Sequence, residues 1–372
     1  MSSGVTTTDR AEVDRPRPKE APMNPPGAAR IGRRQVLATG GAAALAGLAA
    51  STPAAADPAG THPHGHPHDT FPLGPFTKYS GNPILTPDPG HDWESAWLFN
   101  PCAIVVDGHV ALLYRAQNAA KTSSIGLATS TDGFHFERRP EPVLAPTEPY
   151  ETPGGCEDPR VVRIDGTYYL TYTGYDGRHA LLCLATSTDL VHWTKHGPLF
   201  PNLPDPGHTG RNPWNKSGAI LTTPIGGYHW MYFGESNVFW ARSKDLLHWE
   251  TPGNDDPVAT PAFAWERGLM EPGPPPVVTA DGKILLVYNG RANGSGGWTN
   301  GQYSTGQLLI DPADPTKAIA RLERPCLVPT ADDEQNGQVN HVVFSEGLVR
   351  FHGRRFLYFG MADSVLGVAT AP

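Results

Sequence analysis

The hexapeptide Gly155-Cys156-Glu157-Asp158-Pro159-Arg160 puts two adjacent carboxylates, a proline and a guanidinium into one turn ahead of a strand-like run. Neighbouring carboxylates repel one another, which pushes their pKa values apart and lets a pair divide acid and base roles. Glu157 favours the neutral form of Asp158 and Arg160 favours the charged one; spacing alone leaves that contest open, beside the reading of a structural ion pair. Other polar residues stand at the starts of strand-like runs: Asn100 before Pro101, Lys216 in KSGAI, Glu271 in EPGPPP and Glu346 in SEGLV. Carboxylates gathered in a partly dry funnel suit cleavage of a glycosidic bond, which needs an acid for the leaving oxygen and a base for water.

What could bring such distant residues together is a repeat. Strand-like runs carry a tyrosine near their end five times, at Tyr114, Tyr172, Tyr232, Tyr288 and Tyr358. In phase with these, Asp132, Asp189 and Asp245 sit in turns of the type STDxxH or SKDLLH, where an aspartate bonds nearby backbone amides, so they are read as turn-formers. A third series, apolar and bounded by prolines, begins at residues 82–87 and recurs around Val143, Leu199, Val258 and Cys326. Its first copy precedes every other repeat element and no copy follows the last. That offset predicts an all-β, five-bladed β-propeller in which the N-terminal strand closes the last blade. Counting back fourteen residues from Tyr114, Tyr172 and Tyr288 gives Asn100-Pro101, Asp158-Pro159 and Pro274-Pro275, the starts of channel-lining strands. Asn100, Asp158, Lys216, Glu271 and Glu346 are therefore expected to converge on one axis. Trp93, Trp97, Phe99, Trp214, Trp240, Trp265 and Trp298 fall in segments that should rim the same face, where a few could meet sugar and most should pack between blades.

The rest of the chain bounds the setting. With 41 Gly and 39 Pro in 372 residues, long helices are not expected. Arg33-Arg34 ahead of an alanine-rich apolar run and Ala54-Ala55-Ala56 read as a twin-arginine signal over residues 1–56, implying secretion. Residues 57–74 form a His/Pro-rich linker with His62, His64, His66 and His68, read as solvated rather than metal-binding, and 75–372 the catalytic domain. Beyond residue 56, 22 basic residues face 33 acidic ones, a formal charge of −11 that repels nucleic acid and anionic membranes. Cys102, Cys156, Cys183 and Cys326 are too scattered for a zinc site, and either disulfides or buried thiols fit their spacing.

GNPIL, FNPCAIV, LLYRA, GCEDPRVVRIDGTYYLTYT, KSGAI, EPGPPPV, LLVYNG, VVFSEGLV and YFGMADSVLGVAT, in that order from about residue 75 onward, resemble glycoside hydrolase family 130, the mannoside phosphorylases and mannosidases. The resemblance implies a five-bladed propeller acting on β-mannosides with inversion, and Asp158 as general acid working through a sugar hydroxyl. It also implies that Asn100, Arg115 and Asp363 hold the sugar to be released. Glu157, Arg160, Lys216, Asn289 and Glu346 complete the candidate substrate-binding set. Many phosphorylases of the family carry a His-Arg pair where this chain reads 232-YFGES-236, so Glu235 stands where positive charge is expected. Two unit charges about 4 Å apart interact by about 4 kcal/mol at an effective dielectric near 20, and a phosphate dianion would feel roughly twice that repulsion from one carboxylate. The expectation is therefore a secreted, inverting β-mannosidase of short oligosaccharides, with β-1,2 linkage a candidate and no metal or organic cofactor. Asp158 is its acid and Glu235 or Glu271 its base. The alternatives are a phosphorylase holding phosphate with Lys216, Arg160 and His341, and a non-catalytic carbohydrate-binding propeller.

Overall fold

The computed structural model describes residues 69–372; the signal read over 1–56 and the histidines of the linker lie outside the described residues. Strands dominate, and one short α-helix, Asp332–Gln335, is present among the described residues. After a short β1 (Thr77–Lys78), one antiparallel unit recurs. The first two copies are β2 (Trp97–Val106), β3 (His109–Gln117), β4 (Ser123–Ser130) and β5 (Glu137–Arg138), then β6 (Gly155–Ile164), β7 (Thr167–Tyr175), β8 (Ala180–Ser187) and β9 (Thr194–Pro198). A single parallel bridge between Ser123 and Gly155 joins these into one eight-stranded sheet. The third sheet unit is β10 (Ala219–Ile225), β11 (Tyr228–Phe233), β12 (Phe239–Ser243) and β13 (Trp249–Glu250). The fourth is β14 (Leu269–Pro272), β15 (Val277–Val278), β16 (Ile284–Arg291), β17 (Tyr303–Ile310) and β18 (Ala318–Arg321). The fifth is β19 (Val343–Phe351), β20 (Arg354–Met361) and β21 (Val365–Ala371), completed by β1, with Thr77 opposite Thr370. Tyr79 and Ile84 continue that edge through backbone bonds to Val368 and Leu366, so the closing segment starts earlier than the 82–87 expected. No sheet closes on itself among the described residues.

The second and third strands of the units read as apolar runs, such as Ile284–Val287 and Ala180–Ala185, because both of their faces are covered by neighbouring sheets. The proline-bounded series lies along the outer edges, where Leu85, Leu144, Ala259 and Leu327 make isolated bridges. Prolines fit there because the missing N–H would otherwise face no partner. The turn aspartates do what their spacing predicts. Asp132 accepts from the amides of Phe134 and His135, Asp189 from those of Val191 and His192, and Asp245 from those of Leu247 and His248. All four cysteines are unpaired thiols.

The five repeat tyrosines are fully buried. Tyr114, Tyr172 and Tyr288 donate to Glu94, Glu151 and Glu266 at 2.8, 2.8 and 2.5 Å. Each glutamate ends a one-turn helix ahead of an inner strand and also takes a cation from the outermost strand: Arg138 at 3.0 Å, Lys195 at 2.6 Å and Arg321 at 2.8 Å. Glu334 repeats the pattern with Lys78 of β1 at 2.6 Å. These buried glutamates clamp the outer edge of a sheet to the turn that launches its inner strand. Removing one strands a cation and a phenol in a dry setting. Glu151→Ala is expected to cost ~3–5 kcal/mol, the range for breaking a buried pair, read as a lowered midpoint in denaturant unfolding.

Candidate active site

The adjacency of Glu157 and Asp158 has a structural reason. Successive residues of a regular strand point to opposite faces, but the β6–β7 register slips between Glu157 and Arg160, leaving Asp158 in a bulge at φ +49. Both carboxylates thereby reach one guanidinium: Arg115 Nη1 donates to Asp158 Oδ1 at 2.8 Å and Nη2 to Glu157 Oε1. The same slip occurs in β2, where Asn100 also takes φ +49, and in β19 beside Glu346. Asn and Asp tolerate this left-handed backbone better than other residues, and placing one ahead of a proline concentrates strain at the site. Gly155 is equally constrained, at φ +115 with the place of a Cβ only 2.2 Å from the Ser123 carbonyl oxygen, so the β4–β6 bridge that sets this turn requires glycine.

These bulges open onto a small polar cavity of about 90 Å³. Asn100, Arg115, Asp158, Lys216, Glu235, Glu271 and Asp363 lie on its wall, as do Phe99, Tyr303, Val342 and Phe344. Of the aromatic residues expected at the rim, Phe99 reaches it and stacks under Arg115 at 4.3 Å. Trp265 is buried against Tyr288, and Trp214 packs on His208 beside the cavity. The other predicted residues stand behind the wall. Glu157 is held by Arg115 and Ser123. Arg160 donates to the carbonyls of Gly273, Pro272 and Asp158 at 2.8, 2.6 and 3.2 Å and lies 2.9 Å from Glu346 Oε1, so its guanidinium braces the strand starts. Asn289 clasps the backbone of Ser345 through both ends of its amide. Glu346 accepts from Asn100 at 2.6 Å, and His341 is tied to Gln335.

Charge in the cavity is organised around Lys216. Its ammonium lies 2.7 Å from Asp158 Oδ2 and 3.6 Å from Glu271 Oε1. Burial works against ionisation of Asp158, but Lys216 and Arg115 together hold its carboxyl well below the usual carboxylate range, so it rests as an anion. Burial wins elsewhere. It pushes Glu271 up to about 7 against the pull of Lys216, Glu157 to about 7 against Arg115, Glu346 to about 8 against Arg160, and Asp363 to about 6 against Arg115. Near neutral pH the cavity therefore carries fewer negative charges than its carboxylates would suggest. Ser217, at φ +64, donates its hydroxyl to Glu271 and fixes that side chain. Tyr303, Val342, Phe344 and His208 were not singled out by the sequence. Tyr303 follows the glycine-rich loop and opens β17, a strand-start position like those that did attract notice.

A family profile described as beta-1,4-mannooligosaccharide phosphorylase, of glycoside hydrolase family 130, matches residues 78–372. The chain is 36% identical over 310 residues to the beta-1,2-mannobiose phosphorylase of Thermoanaerobacter sp. strain X514, covering 79% of this chain and 96% of the relative. It is 34% identical to the 1,2-beta-oligomannan phosphorylase of the same organism, covering 78% and 95%. A solved structure reported with the statement that this family of mannoside phosphorylases contains glycoside hydrolases targeting beta-1,2 mannosidic linkages in Candida mannan aligns with a TM-score of 0.73 and 37% identity, covering 79% of this chain and 93% of that one. The named activities of the curated relatives overturn the expectation of hydrolysis. That expectation counted Glu235 and Glu271 as full charges facing phosphate. It left out the burial that leaves Glu271 only partly ionised near pH 7 and gave too little weight to the Lys216 ammonium on the cavity wall. With profile, relatives and architecture in agreement, the chain belongs to glycoside hydrolase family 130, an enzyme family whose curated relatives here act on mannosides.

Proposed function

We propose that the protein is a β-mannoside phosphorylase that transfers a terminal mannosyl unit of β-1,2-linked mannobiose or short oligomannan to inorganic phosphate. The observation that carries this reading is the Lys216 ammonium, half-buried on the cavity wall between Asp158 and Glu271. The names of the two Thermoanaerobacter relatives support the phosphate acceptor and the linkage. A phosphate oxygen attacks the anomeric carbon, the glycosidic C–O bond breaks with its electron pair on the leaving oxygen, and that oxygen gains a proton originating at Asp158. The products are mannose 1-phosphate and a mannoside shorter by one unit.

Asp158 rests ionised because Lys216 and Arg115 hold it so, and an ionised group cannot donate. A phosphate that takes Lys216 as its partner removes one of those cations from Asp158. The carboxyl then moves towards protonation, and binding of the nucleophile arms the acid. Arg115, Asn100 and Asp363 orient the sugar, and Phe99 and Phe344 offer apolar faces to its C–H edges. We also read the five sheet units as blades of a propeller around this cavity. Successive inner strands pack on one another, β2 on β6, β6 on β10 and β19 back on β2, which supports that reading.

The test incubates β-1,2- and β-1,4-mannobiose with the enzyme in phosphate-free and phosphate-containing buffer. Mannose 1-phosphate formed from the β-1,2 isomer only with phosphate is the expected result. Mannose released at equal rates in both buffers overturns the phosphorolytic reading.

A further inference from the structure

Beside the cavity, Asp205, His208, Trp214 and Ser236 form a network that the reaction as described does not use. Asp205 is buried and accepts from the Gly207 amide at 2.8 Å, the Ser236 amide at 3.3 Å, the Ser236 hydroxyl and His208 Nδ1 at 3.3 Å. With Nδ1 committed to Asp205, the other ring nitrogen of His208 faces Glu235, Nε2 to Oε2 being 3.6 Å. Trp214 donates its indole N–H to the same Oε2 and lies flat against the His208 ring, with centroids 4.3 Å apart and planes 9° apart. Ser236 follows Glu235 in the chain, so Asp205 fixes both the histidine and the backbone that carries the glutamate.

From this geometry we infer that His208, positioned by Asp205, is the cation that neutralises Glu235 and thereby lets phosphate enter beside Lys216. The inference rests on the phosphorolytic reading of the cavity. Three features favour the imidazolium: the Asp205 carboxylate, the Glu235 carboxylate and the indole face of Trp214. Lys216 opposes it, and Arg211, 5.7 Å from the Trp214 ring, is the other cation nearby. The hydrogen bond to Asp205 raises the pKa of His208 above its ordinary value, with Glu235 adding to it, so the pairing persists towards neutral pH. Above that range the ring loses its proton, Glu235 faces the cavity uncompensated, and phosphate binds less well. The positive charge that faces Glu235 comes from a residue 27 positions earlier in the chain. His208 and Asp205 are positioning residues that act through Glu235.

The experiment measures KM for inorganic phosphate, KM for β-1,2-mannobiose and kcat between pH 6 and 9. His208→Gln is expected to raise phosphate KM about tenfold or more at pH 6.5, to leave mannobiose KM within about twofold, and to flatten the rise of phosphate KM with pH. Asp205→Asn shifts that rise to lower pH. Glu235→Gln, which removes the anion itself, flattens the same rise, and adding His208→Gln to it changes phosphate KM by less than about twofold. An unchanged phosphate KM in His208→Gln, or an equal effect of that substitution with and without Glu235→Gln, overturns the inference while leaving phosphorolysis standing. Wild-type enzyme that releases mannose without phosphate overturns both, and is recognised before any variant is made.

Discussion

Asp158→Asn lowers phosphate-dependent cleavage of β-1,2-mannobiose by ~10²–10⁴-fold, the usual contribution of a positioned general acid. The loss falls mainly on kcat, because Asn100, Arg115 and Asp363, the cavity-wall groups proposed to hold the sugar, remain. An aryl mannoside with a weakly basic leaving group needs little proton assistance, so the variant is expected to cleave it with a much smaller defect. The two substrates compared at saturating phosphate provide the check, with circular dichroism confirming the fold. Undiminished turnover of mannobiose would remove Asp158 from the mechanism.

Lys216→Met has a comparably large effect and reaches both stability and function. Asp158 and Glu271 are almost fully buried, and Lys216 is the cation they share. Without it Asp158 keeps Arg115 as its partner, and stability at pH 7 falls by ~1.5–3 kcal/mol, the range for losing a hydrogen bond to a charged group. The pH dependence has a definite sign. The folded-state pKa of Asp158 lies below its unfolded value, so the Lys216 contribution is present above the ordinary carboxylate range and is lost as pH falls through the folded value. The gap between wild type and variant is therefore widest near neutrality and narrows in acid, which thermal midpoints taken from about pH 7 down to about pH 2 would report. Phosphate KM rises in the same variant, since the cation proposed to receive the anion is gone. A variant with wild-type phosphate KM would contradict that placement.

Much of the site was readable because the repeat gives chain position a spatial meaning. Asn100-Pro101 and Asp158-Pro159 stand at equal distances before Tyr114 and Tyr172, and equal phase in a repeat means equal height on the sheet. The same logic reached Lys216 and Glu271, and the family resemblance pointed to Glu235; the structure places all three on the cavity wall. It failed where a role depends on side-chain direction. Arg160 is one strand position past a bulge and points into carbonyls, and Asn289 turns to Ser345; neither direction follows from spacing. The glutamate clamps had a signal that went unused, an acid 20, 21 and 22 residues ahead of Tyr114, Tyr172 and Tyr288. His208 carries no repeat signature, because its neighbours in space come from the following sheet unit. The error over the nucleophile had another source: formal charges were counted where burial decides which of them exist.

The pairing of β1 with β21 also bears on how the molecule is made. Asn82 donates to the carbonyl of Val368, which the ribosome reaches only after another 286 residues. Until then the fifth sheet has an open margin, and a nascent chain presents Phe356–Met361 without the strands that cover them. A chain that stops anywhere upstream of Val365 is therefore expected to leave that apolar strand uncovered and to aggregate, the consequence of tying the beginning of a sheet to its end.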